Sequence, residues 1–227
     1  MLTSDEWQAV SLTLLVAGTA VAASLPLGVL AGWVLAKRQF PGKLALETVL
    51  NLPLVLPPVV TGYLLLVVFG RQGAIGAWLE AVGIRLVFDW KGAALAAAVM
   101  GFPLLVRPIR VAFAGVDDGL LAAARTLGAS PLDAFWSIAM PLARRGILGG
   151  CTLAFARAMG EFGATIMIAG SIPGQTRTMT LHIYEVLSGG GFERTRNLVL
   201  ISIVIAAGAL MVSEYFERAG RREQLSA

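Results

Sequence analysis

Arg157 and Glu161 are the only charged residues between Gly146 and Gly170, and they stand four positions apart. On a helix that spacing puts them on one face, where they can pair. If the stretch crosses a bilayer, a lone charge there costs at least about 2.5–3.5 kcal/mol, and pairing toward the protein interior reduces that cost. Thr61 and Thr165 are hydroxyls in equally apolar surroundings. Such hydroxyls either bond a carbonyl of their own helix or line a polar path. Bond-making chemistry has little to work with. Cys151 is the one cysteine, so it has no disulfide partner, and the one histidine, His182, lacks the partners a metal site needs. His182 therefore reads as a loop or interface histidine. No G-x-x-x-x-G-K-[ST] phosphate loop occurs. Neither catalysis nor a cofactor or metal of its own is expected of this chain.

A second constellation lies at about 117–141, where Asp117, Asp118, Arg125 and Asp133 make the chain compatible with water. The residues read as helix, turn, helix. Leu120 to Leu127 are strong helix formers, and Gly128 suits a left-handed C-terminal cap. Ser130 can cap a second helix that has Pro131 at its first position and Asp133 in its first turn. That helix is expected to present Leu132, Phe135, Trp136 and Ala139 on one apolar face, and Pro141 limits it. The face either enters a groove on a partner or packs on the membrane or on the chain's own spans.

The elements that must position these residues follow from composition. Of 227 residues, 57% are hydrophobic and 14% are charged. A soluble domain carries about 25% charged residues, so too few remain here to cover a water-soluble globule. The charges are also clumped, leaving uncharged runs such as 7–36, 48–70 and 197–213. A bilayer core requires about 20 apolar residues per helix. A soluble enzyme, a disordered chain and a nucleic-acid-binding domain are thereby excluded. The pI near 9.7 reflects basic residues that act as topology signals.

One transmembrane domain, residues 1–227, is expected, all-α, with five (possibly six) spans. The spans are placed at about Val10–Ala36, Thr48–Phe69, Gly92–Val111, Gly146–Gly170 and Leu198–Phe216. The first is a retained span rather than a secretion signal, because it is too long and is preceded by Asp5 and Glu6. Pro53, Pro57 and Pro58 predict a bend or a broken hydrogen-bond ladder near Leu56–Val59. Ala74–Val82 and Met179–Leu187 read as short interfacial or re-entrant helices. Arg107 and Arg110 end the third span, where long side chains can snorkel. Basic residues favour the side that holds 37–47, 112–145 and the tail with Arg218, Arg221 and Arg222. The N-terminus is therefore expected outside, and the 117–141 loop and the C-terminus in the cytoplasm.

The loop resembles a known pattern. Ala123, Ala124, Gly128, Ile138 and Pro141 match the EAA loop of ABC importer permeases, E-A-A-x3-G-x9-I-x-L-P. Ala122 replaces the glutamate, which removes one polar contact, and Met140 replaces the leucine, a nearly volume-conserving change. Leu52–Val60, Ala154–Thr165 and Ile172–Thr178 are similar to the molybdate-importer branch, with tungstate and sulfate/thiosulfate permeases as close alternatives. The resemblance implies the type I importer permease fold in a bacterial or archaeal plasma membrane. It also implies a coupling helix seated on a separate ATPase subunit through Ala123, Ala124, Gly128, Ser130, Leu132, Phe135, Trp136, Ile138 and Pro141. The implied assembly is a homodimer with two ATPase subunits, which hold ATP-Mg, and a periplasmic or lipid-anchored molybdate-binding protein. Within it, Arg157 would either lock its span through Glu161 or offer a positive field to a divalent oxyanion, with Thr61, Glu161 and Thr165 as further path or gate residues. An ATP-independent secondary transporter is the alternative from another class. It would show inverted repeats and paired discontinuous helices, and the sequence has no internal repeat.

Overall fold

The computed structural model describes residues 3–226, without the side chains of 192–194, 209, 213 and 216–226. The expected basic side chains of the tail, Arg218, Arg221 and Arg222, and that of Arg194, lie outside the described residues. Helix α1 covers Ser4–Lys37. Its start is a capping box: Thr3 Oγ1 accepts from the Glu6 amide at 3.3 Å, and Glu6 Oε2 accepts from the Thr3 amide at 2.7 Å. The acidic residues Asp5 and Glu6 thus belong to the capped first turn of the helix.

Helices α2 (Lys43–Val55) and α3 (Pro58–Phe69) bend by 115° at Leu56–Pro57. The expected break is present, and it is far more than a kink. Pro57 and Pro58 remove two backbone donors, and Pro58 restarts a helix at its first turn. A short α4 (Gly76–Ala81) follows, as expected for the 74–82 piece. Helix α5 (Trp90–Ala114) begins at an Asp89 cap, whose carboxylate accepts from the Lys91 amide at 3.0 Å.

The 117–141 region forms α6 (Asp118–Thr126) and α7 (Pro131–Ala134), which runs through a π-helical segment at Phe135–Ala139 into α8 (Met140–Met159). The fourth span is not continuous. Backbone helicity stops at Gly160–Phe162 and resumes as α9 (Gly163–Ala169), turned by 66°. Helix α10 (Met179–Ser188) forms where a short helix was expected, and α11 (Phe192–Ser226) closes the chain. Helices α1, α5 and the 195–212 part of α11 are long and apolar enough to cross a membrane, and each bent pair supplies one further crossing if it is a single span.

Helix α5 packs between α1 and α8. One cluster joins Val10, Val16, Ala17 and Ala20 to Ala93, Ala97, Met100, Ile168, Met179 and Leu198. A second joins Leu105, Ile109 and Phe113 to Ala139, Ala143, Ile147 and Ala154. Alanine dominates the first cluster, as expected where helices associate through close backbone approach. The second cluster lies beside the 117–141 loop and receives its aromatic residue.

Candidate functional site

The loop is built by its own caps. Asp117 Oδ1 accepts from the Gly119 amide at 2.7 Å and starts α6. Lys37, at the end of α1, holds that start by bonding the Val116 carbonyl and pairing with Asp118 Oδ1 at 2.6 Å. Gly128 has φ +96°, and the Ala129 amide returns to the Ala124 carbonyl at 3.0 Å. The expected left-handed cap is therefore present, at a position where a side chain would be strained. Ser130 Oγ accepts from the Asp133 amide at 3.1 Å, and the Ser137 hydroxyl donates to Asp133 at 2.9 Å.

The apolar face differs from the single stripe expected. Phe135 turns inward, with its ring centroid 5.1 Å from Trp33 and 5.9 Å from Phe113, and Ala139 is fully buried. Leu132 (67% exposed) and Trp136 (59% exposed) point outward, as does Leu127 at the end of α6. Phe135 and Trp136 are about 100° apart around a helix and so stand at opposite edges of the stripe; just beyond them the Met140 amide bonds the Phe135 carbonyl five residues back, a π-helical turn. That register widens the turn and rotates the residues after it relative to an α-helix. The loop thus has an inward aromatic anchor and an outward apolar surface, which a 3.6-residue period merges into one face. Ala123, Gly128, Ser130 and Pro141 are exposed, while Ala124 and Ile138 are half-buried.

A second arrangement lies at the helix breaks. Arg157 approaches Glu161 Oε2 at 2.7 Å, off the line of an N–H bond, so the contact is an ion pair rather than an aligned hydrogen bond. The pair forms as its spacing suggests, but not along a continuous helix face, because Glu161 lies in the break. Its other oxygen, Oε1, accepts from the Ala164 amide at 2.8 Å and caps α9, while the Thr180 hydroxyl donates to the Glu161 carbonyl at 2.8 Å. Glu161 is therefore the joint of α8, α9 and α10. The glutamate three residues before Ala164, flanked by Gly160 and Gly163, is the sequence signal for this role. The helical reading of the pair masked it.

The two breaks touch. A Cβ on Gly163 would lie 2.8 Å from Pro58, and one on Gly62 would lie 2.7 Å from the Ala164 backbone. Helices α3 and α9 thus pack with their backbones in contact just beyond their breaks. Thr61 and Thr165 are buried in this packing, at 5% and 1% exposure. Thr61 Oγ1 has no hydrogen-bond partner, so it does not bond its own helix. The structure brings Arg157 and Glu161 together and places both threonines inside the protomer. His182 is also buried, on α10 rather than in a loop.

Asn51 and Glu47 on α2 were not foreseen. Arg107 Nε and Nη2 both donate to Asn51 Oδ1, at 2.9 and 2.6 Å, and Arg110 pairs with Glu47 at 3.1 Å. The two arginines expected to snorkel instead bond to the neighbouring helix.

The model of the family described as binding-protein-dependent transport system inner membrane component matches residues 24–219. The chain is 52% identical to the molybdenum transport system permease protein ModB of Escherichia coli K12, over 97% of this chain and all of that protein. It is 45% identical to the corresponding Haemophilus influenzae protein over 94% of each chain. A sulfate transport system permease of Synechocystis is 33% identical over 92% of this chain and 76% of that one. Among solved structures, a bacterial alginate ABC importer aligns with TM-score 0.69 at 16% identity, covering 97% of this chain and 80% of that one. The MetNI methionine transporter aligns with TM-score 0.65 at 17% identity, covering 95% and 94%. These structures share the fold.

Proposed function

The chain belongs to the binding-protein-dependent transport system inner-membrane family, and from that premise we propose that it is the permease subunit of an ATP-driven molybdate importer. The observation that carries the substrate is end-to-end identity of 52% with a protein named as a molybdenum permease, against 33% with a sulfate permease. Two copies of the chain, two ATPase subunits and a molybdate-binding protein on the outer side form the working complex. ATP-Mg is held by the ATPase subunits. The N-terminus lies outside, and the 117–141 loop and the tail lie in the cytoplasm.

The loop geometry gives this reading a mechanism. Leu127, Leu132 and Trp136 are large apolar side chains exposed beside the capped turn at Gly128. Exposed apolar anchors of this kind suit a groove on a partner. Behind them, Phe135 is wedged between Trp33 of α1 and Phe113 of α5. A displacement imposed on Trp136 by closing ATPase subunits therefore reaches α1 and α5 through packed rings. The seam between α3 and α9 supplies a second movable contact, because each helix is hinged at a break. ATP binding has only to favour one of two packings of the dimer to switch the side on which the path opens.

Paired discontinuous helices, expected of a secondary transporter, are present here within an importer fold, so they do not separate the two classes. The test is ATP hydrolysis by the complex in lipid vesicles, with the binding protein added loaded with molybdate or with sulfate. Leu132→Ala plus Trp136→Ala is run beside the parent. The reading expects stimulation by the molybdate-loaded protein and its loss in the double variant. Equal stimulation by a sulfate-loaded protein moves the substrate to sulfate. No dependence on either binding protein overturns the importer reading.

A further inference from the structure

Helix α2 buries none of its residues, and it meets α5 through polar contacts. The two contacts differ in charge. Arg110 faces the Glu47 carboxylate and is neutralised. Arg107 is exposed and faces the amide oxygen of Asn51. Asn51 is fixed in turn, since its Nδ2 donates to the Glu47 carbonyl at 2.6 Å. Among the described residues no carboxylate pairs with Arg107. Its guanidinium is thus oriented along one edge by a neutral group, keeps its full positive charge, and has N–H donors left over from a set of five.

The position along α5 gives this charge a meaning. Helix α5 has 25 residues, or about 37 Å at about 1.5 Å per residue, against a hydrocarbon core of about 30 Å. Arg107 lies about 10 Å before the α6 end, which is acyl-chain depth unless water reaches it. An exposed guanidinium in hydrocarbon is costly. The outward faces of α1 (Leu27, Leu30) and α11 (Leu200, Ile203, Val204) are apolar and suit lipid. Where α2 meets α5, Asn51, Glu47, Arg107 and Arg110 form a polar strip flanked by exposed Leu44, Val49 and Val55, and that strip suits a water-filled cavity.

We propose that Arg107, held by Asn51, is an anion-binding station at the inner mouth of the path, taking a divalent tetrahedral oxyanion through charge-assisted hydrogen bonds. The proposal rests on the importer reading for the identity of its anion. A planar guanidinium offers two parallel donors to such an oxyanion. One arginine on a neutral support holds the anion weakly enough to release it, which a conducting path requires.

Asn51→Asp separates this role from a structural one, because it keeps an acceptor at the same place and cancels the charge. The measurement is molybdate imported per ATP hydrolysed by the reconstituted complex, for N51D, R107Q, R107K and the control R71Q, whose surface pair with Glu80 lies elsewhere. The proposal expects at least a tenfold fall in N51D and R107Q, at least half the parent ratio in R107K, and no change in R71Q. Parent-like N51D overturns it. So does a fall that appears only in vesicles with anionic lipid, since Arg107 would then be holding a headgroup.

A second measurement needs no transport. Val111 lies one turn beyond Arg107 and is 69% exposed. In a Cys151→Ala background, Val111→Cys is expected to react with water-soluble anionic thiosulfonate faster than with the cationic one, and N51D is expected to lower that rate ratio at least threefold. Absence of reaction with either reagent, or an unchanged ratio, overturns the station whatever anion the complex carries. A parent complex that imports no molybdate while the rate ratio shifts as expected overturns the substrate reading alone.

Discussion

Trp33 stands edge-on to Phe135, with ring centroids 5.1 Å apart and planes at 74°. This contact joins the α6 end of α1 to the connection between α7 and α8, and Phe113 of α5 completes the cluster at 5.2 Å from Trp33. It separates two adjacent aromatic residues into different roles. Phe135 holds the loop to the spans, and Trp136 is left at the surface.

Phe135→Ala is expected to destabilise the protein by about 3–5 kcal/mol, the cost of removing a packed aromatic ring. Trp136→Ala is expected to cost less than about 1 kcal/mol, because its ring is 59% exposed. Thermal unfolding in detergent checks both. Retention of the ATPase subunit during purification should fall for Trp136→Ala even though the chain stays folded. If Trp136→Ala unfolds the chain while Phe135→Ala does not, the assignment of the two rings is reversed.

Arg157→Ala leaves the Glu161 carboxylate, 2% exposed, without its cation. Breaking a buried pair from one side costs about 3–5 kcal/mol. The lower end applies, because the Arg157 side chain is itself 27% exposed. Glu161→Gln retains an oxygen able to cap α9, so it should cost less than Glu161→Ala, which loses the bond to the Ala164 amide as well. Equal unfolding temperatures for the two Glu161 variants would rule out the capping role.

Gly62→Ala is expected to cost about 1–3 kcal/mol, since its methyl would meet backbone atoms of Ala164 at 2.7–2.8 Å and would force α3 away from α9. Gly160→Ala meets nothing closer than 3.9 Å and should change stability by less than about 1 kcal/mol. Gly62 lies inside α3 at the seam, and Gly160 ends α8 at its break, so the pair separates close packing from freedom at the joint. Transport lost in Gly160→Ala with stability intact would assign the joint, rather than the seam, to gating.

Lys37→Met should cost more than Asp118→Asn. Asp118 is 81% exposed, and its half of the pair contributes at most about 1 kcal/mol. Lys37 is 11% exposed and also bonds the Val116 carbonyl, which its loss leaves without that donor. Comparison of unfolding temperatures for the two single variants decides this, and a larger effect from Asp118→Asn would contradict it.

Much of the architecture was legible because its causes are local. Apolar run length, the Gly128 cap and the Ser130–Pro131 start each act locally, and each appears where expected. The prolines at 57 and 58 predicted a break, since a missing donor needs no tertiary context to act. Other features depended on neighbours. Apolar length predicts the fourth span as one helix, but Glu161 caps a new one, and the interruption is held by Thr180 from another helix and by Pro58 against Gly163. Position at a span end predicts snorkelling for Arg107 and Arg110, yet Asn51 and Glu47, more than fifty positions away, claim them. A 3.6-residue period predicts one apolar face for the coupling helix, and the packing of Phe135 against Trp33 and Phe113 divides that face into anchor and surface.

Membrane class, helical content, loop chemistry and the family pattern were therefore determined by sequence alone, since hydrophobic length and capping are properties of short segments. Which charge is neutralised, which threonine is buried and which aromatic ring faces outward were decided only by the tertiary structure. Pairing and burial are set by groups brought close from distant positions, and no periodicity within one helix specifies them.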